Sequence, residues 1–136
     1  MTGNPPRLIR FIRAEVQSLS DESCEATVEL ELRGVGRITA TARGPNEEHD
    51  RLRTVARATS DALSEAFDEK AVKVRVMSIQ PVALLTQHTL LVTLAVTRGA
   101  DQRTLHGVCD ASGDPVRAAS LAVLNATNRF LDWLTD

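Results

Sequence analysis

The chain has 136 residues, 43% of them hydrophobic and 25% charged, with a formal net charge of -2, enough for one domain with its own core and too little for a separate second one. That charge leaves no electrostatic footprint for nucleic acid, and no apolar run approaches the roughly 20 residues that span a bilayer. The opening MTGNPPRLIR lacks the apolar centre of a secretory signal, and Cys24 and Cys109 read as free thiols, so a cytoplasmic protein with neither a membrane nor a nucleic-acid partner is expected.

RLIRFIRAEV reads as a first extended segment. In EATVELELR, Ala26, Val28, Leu30 and Leu32 alternate with Thr27, Glu29, Glu31 and Arg33, the signature of a half-buried strand. Arg33-Gly34 marks a turn, and GRITATARG returns with Ile38, Ala40 and Ala42 inward. Within GPNEEHD, Asn46 is placed to cap a helix, and Glu47 and Glu48 favour the positive end of its dipole. The helix then runs through RLRTVARATSDALSEAF, where Leu52, Val55, Thr59, Ala62 and Ala66 make a narrow face of mostly small residues.

The pattern then repeats. AVKVRVMSI is a fourth extended segment and QPVALLTQ a link, while HTLLVTLAVT alternates Leu90, Val92, Leu94 and Val96 before the Arg98-Gly99 turn. QRTLHGVCD returns with weaker alternation. Asp114 and Pro115 then open a helix as cap and first residue, with a stripe of Val116, Ala119, Val123, Ala126, Phe130 and Leu134. Sliding one half over the other by about 64 positions superposes Val28 on Val92, Leu30 on Leu94, Ala58 on Ala122 and Ala62 on Ala126. The expected fold is α+β, two tandem βββα repeats over residues 7–68 and 71–134, each with an antiparallel three-stranded sheet covered by a helix.

The outward faces of the two repeats differ. In the first, Glu29, Glu31, Arg37, Thr39, Thr41 and Arg43 suit water and cross-strand ion pairs. In the second, the outward positions are Met77, Ile79, Leu91 and Ala95, and the link adds Val82, Leu84 and Leu85. A large exposed apolar patch marks an interface, here with a second copy of the chain, unless the link folds back over it. Trp133 belongs to that interface or closes the end of the second helix.

Chemistry-bearing motifs are sparse. His49, His88 and His106 lack the spacing of a two-histidine metal site, and no nucleophile elbow or phosphate-cradling glycine loop occurs. His106 and Cys109 lie three apart on a strand, which sends them to opposite faces. No catalytic residue, metal or cofactor is therefore assigned, and two classes of function stand: a small-molecule-binding regulatory domain, or a protein–protein assembly module without a ligand.

DPVRAASLAVLNATNRFL, with Asp114, Ala119, Ser120, Leu124, Asn125, Ala126, Asn128 and Arg129, resembles the last helix of the C-terminal regulatory domain of 2-isopropylmalate synthase. EATVELELRGVGRITATARGPNEE is similar to that domain's first repeat, with Gly44-Pro45 after the third strand. The resemblance implies a dimeric, non-catalytic domain of paired βββα units that binds a small amino-acid or 2-oxo-acid effector or modulates a partner enzyme. It places the effector near Gly44, Pro45, Asn46 and Gly107. The chain departs from the family where QPVALLTQHTL replaces a Gly-Gly-Thr-Asp-Ala-like segment, and it has no room for the synthase's catalytic barrel, so a stand-alone relative is implied. Acidic Glu47, Glu48, Asp50 and Asp114 at the helix starts repel an anion, which favours a neutral or cationic ligand or a protein partner.

Overall fold

The structure, a computed structural model, describes residues 9–84 and 87–128. Strands β1 (Ile9–Ser18), β2 (Ser23–Leu32) and β3 (Gly36–Pro45) form one antiparallel sheet in that order, followed by helix α1 (Glu48–Ala66). After a 3-10 turn at Asp68–Lys70, strands β4 (Val72–Leu84), β5 (Gln87–Arg98) and β6 (Asp101–Asp110) form the second sheet, followed by α2 (Pro115–Asn128). The tandem βββα arrangement is the one the repeat predicts. Gly34 and Gly36 take positive φ in the β2–β3 turn, the conformation for which glycine is the ready choice.

The period-2 pattern of β2 is realised without a break, Cys24 to Leu32 alternating between buried and half-exposed positions. On its outer side Glu29 bridges Arg13 at 3.1 Å and Arg37 at 3.3 Å, and Glu25 pairs with Arg43 at 3.0 Å, so the charged face is held by the cross-strand pairs expected of it.

Each helix packs on more than its own sheet. Helix α1 lies on β2 and β3 and reaches β4 of the second sheet, while α2 lies on β5 and β6 and reaches β1 of the first. The Ser64 hydroxyl of α1 accepts a hydrogen bond from the Val74 backbone N–H at 2.9 Å and faces its carbonyl at 3.3 Å, so it continues the ladder at the β4 edge. At the other crossing, the Arg117 guanidinium of α2 sits 5.6 Å from the centre of the Phe11 ring on β1, within cation–π range. The helices also contact each other, and the wholly buried Thr59 and Ser120 hydroxyls bond across that contact at 2.9 Å. One hydrophobic core results, running from Ile9 to Ala126 through both repeats.

Three local expectations are corrected. Ile79, assigned outward, is 2% exposed and belongs to the core. The pairing of β4 with β5 shifts between Val76 and Ser78; the extra residue, Met77, reverses the phase of everything after it. Second, the supposed link QPVALLTQ is strand for most of its length: Pro81 pairs with Leu90, Val82 with Thr89 and Leu84 with Gln87, so it lengthens the β4–β5 hairpin instead of folding back. Third, Asn46 does not cap α1, whose cap position is Glu47 with no side-chain capping bond. Asp114 does cap α2, its Oδ1 accepting the Arg117 N–H at 3.1 Å.

Candidate functional site

Asn46 leaves the cap because better partners converge on it from the β1–β2 turn. Its side-chain amide donates to Ser18 Oγ at 3.0 Å and to the Ser20 carbonyl at 3.1 Å, while its Oδ1 accepts from Arg51. Arg51 also donates to Ser18 Oγ at 3.0 Å. The network ties the β1–β2 turn to the first turns of α1, and among the described residues Arg51 has no carboxylate within ion-pair distance. Among these residues its charge is met by the neutral oxygens of Ser18 and Asn46.

Asn46, Glu48 and Arg51 form the polar side of an open cleft of about 400 Å³, whose apolar wall is Val16, Leu52, Pro115 and Val116. The wall therefore comes from β1 and from both helices, with Leu52 and Val116 at corresponding positions of the two repeats. A second cleft of about 390 Å³ shares Glu48 and Leu52 and continues past His49 to Pro81 and Leu90. One cation and one anion at the rim of a small apolar cleft can hold opposite ends of a zwitterion. The acidic residues at the helix start repel an anion, and Arg51, one turn further along α1 in the same cleft, sets a positive charge beside them.

Of the residues that the family resemblance implicates, Gly44, Pro45 and Asn46 are consecutive at the end of β3, and Asn46 lines the cleft. Gly44 lies against Thr54 of α1. Gly107 is elsewhere: it pairs with Val92 in the second sheet and is buried beneath Ala122 and Ala126 of α2, a position set by packing. Sequence reasoning missed Arg51 and Leu52 as cleft residues. Leu52 carried the signal of an apolar stripe at the helix start, whereas Arg51 looks like any other arginine until Asn46 orients it.

On the outer face of the second sheet, Met77 and Val108 are 48% and 42% exposed, and Leu91 and Val82 are half-buried. Ala95 shares this face but is only 4% exposed. Leu84 ends β4, and Leu85 and Trp133 lie outside the described residues. His106 is on this outer face, its Nδ1 3.1 Å from Thr93 Oγ1, while Cys109 packs against the core from the inner face. Burial, and then the charge of Asp110, push the Cys109 thiol up from its ordinary value, unfavourable to a thiolate nucleophile. No group of three potential metal ligands gathers among the described residues, and no helix there is long and apolar enough to cross a membrane.

The chain matches no protein-family model and no curated protein.

Proposed function

We propose that the protein is a dimeric, non-catalytic regulatory domain that binds a small amino acid in the cleft at the start of α1, in the manner of the feedback-regulatory domain of 2-isopropylmalate synthase. The observation that carries this reading is the placement of Arg51 and Glu48 on the polar side of one cleft with an apolar wall. A carboxylate meets the Arg51 guanidinium, an ammonium meets Glu48, and a short apolar side chain lies on Leu52, Val16 and Val116. Because the wall draws on β1, α1 and α2, a bound ligand stabilises their docking and so couples occupancy to the shape of the whole domain. A 2-oxo acid satisfies Arg51 alone and binds more weakly.

Thermal melts with a panel of amino acids and matching 2-oxo acids test the assignment, since a ligand selective for the folded state must raise its melting temperature. The expected result is a Tm increase with one or a few apolar amino acids, a smaller one with their oxo acids, and no response in Arg51→Met. Indifference to every compound would instead favour an assembly module, the reading supported by the exposed Met77 and Val108 on the second sheet.

A further inference from the structure

We propose that the outer face of the second sheet binds its counterpart on a second copy of the chain, and that His106 makes this association dependent on protonation; the inference rests on the dimeric reading above and specifies its surface and control. The apolar residues of the face are Leu91 and Val108, side by side on β5 and β6, with Met77 and Val82 on β4. Leu91 on the central strand is paired with Val108 on one side and Gln80 on the other, and Met77 bulges outward from β4. His106 precedes Val108 by two residues and is paired with Thr93 and hydrogen-bonded to it.

A second copy is favoured as occupant by the charge on this face. Arg75 and Lys73, the latter 3.7 Å from Asp68, stand at one end, on β4 opposite Ala95 and Thr97, and Asp110 at the other, on β6 opposite Thr89. Opposite signs at opposite corners are complementary to the same face turned about a two-fold axis. A partner of a single sign would be attracted at one end and repelled at the other. The outer face of the first sheet offers no comparable surface, because its Glu25, Glu29 and Glu31 are already engaged by arginines of that sheet.

In such a dimer the His106 imidazole is covered beside Leu91 and Val108. The neutral ring is compatible with that site and keeps its hydrogen bond to Thr93. An imidazolium must give up hydration there, and each dimer buries two of them. The charged groups on the same face are Arg75 and Lys73 from β4, which add repulsion, that of Lys73 offset by Asp68 at 3.7 Å, and Asp110 from β6, which is four residues away and hydrogen-bonded to Ser112; β5 contributes none. Helix α2 packs on the opposite side of β6. Acidification that protonates the imidazole therefore weakens the dimer.

Sedimentation of the full chain at pH 7.5 and 5.5 tests this, with His106→Asn and Val108→Arg alongside and far-UV circular dichroism confirming that each remains folded. Wild type is expected to dimerise at pH 7.5 with an apparent Kd that rises about tenfold or more at pH 5.5. His106→Asn should give the same Kd at both, and Val108→Arg, altered at an exposed position, should be monomeric throughout. A wild-type monomer at pH 7.5 would overturn the dimer itself. A dimer with one Kd at both pH values, or a His106→Asn variant that still dissociates in acid, would overturn the role of His106 alone, and a dimeric Val108→Arg would overturn the choice of face.

Discussion

A Cβ added at position 107 would stand 2.1 Å from the Ala122 carbonyl oxygen, 2.6 Å from the Ala126 nitrogen and 2.8 Å from the Ala126 Cβ. Two of those atoms are backbone, so no rotamer change relieves the contact, and β6 and α2 must separate. Gly107→Ala is accordingly expected to cost about 3 kcal/mol or more, read as a lower denaturation midpoint in urea with little change in slope. In sequence Gly107 was marked only through the family resemblance, as a neighbour of the effector, while the alanines of α2 appeared as part of that helix's apolar stripe. What the sequence left open was which strand residue met the stripe, because that depends on where the helix crosses the sheet. Asn46 was misjudged for a related reason. An Asn before two Glu residues is a plausible cap, but Ser18, Ser20 and Arg51 offer it more hydrogen bonds, and only the fold brings them near.

Strand and helix identities were legible because alternation in β2 and β5 and the three-and-four spacing in both helices report burial directly. The bulge in β4 was not. The residues Val72, Val74 and Val76 keep strict alternation, and nothing in Met77-Ser78-Ile79 announces a change of phase, since Met and Ile are each at home on either face. The physical consequence is considerable: the bulge moves Ile79 into the core and leaves Met77 as the exposed residue. The connection from β6 to α2 is better marked in sequence and has a titratable element. Asp110 Oδ1 accepts from Ser112 Oγ at 2.7 Å and from the Ser112 N–H at 3.0 Å, and these bonds hold its carboxyl below the ordinary value. The folded form thus has the lower pKa, so the stabilisation is fully present above the unfolded value of about 3.9 and is lost as pH falls through the lowered one. Asp110→Asn should melt below wild type at pH 7, with the gap closing in strong acid; a gap independent of pH would mean that the carboxylate charge contributes nothing to the turn.

At the scale of the whole molecule, the tandem architecture could be read from self-similarity, while the mutual reach of the helices could not, because it follows from the relative placement of the two sheets. The same limitation applied to the cleft, whose wall combines Val16, Leu52 and Val116 from three separate elements. Helix α1 supplies Ser64 to the edge of β4, and α2 supplies Arg117 to Phe11 of β1, so each repeat leaves part of its surface to be covered by the other. Residues 1–70 and 71–136 expressed separately should therefore be largely unfolded, and co-expressed they should co-purify as a folded pair; independent folding of either fragment, seen as a cooperative melt, would contradict the interlock. The arrangement also bears on descent. Two copies of a half-length chain, each lending its helix to the other's sheet edge, would build the same core without a covalent link, and joining their genes would make that association permanent. Once joined, the two copies no longer need to remain alike: here the first sheet keeps a charged outer face of cross-strand ion pairs, while the second leaves Met77 and Val108 exposed.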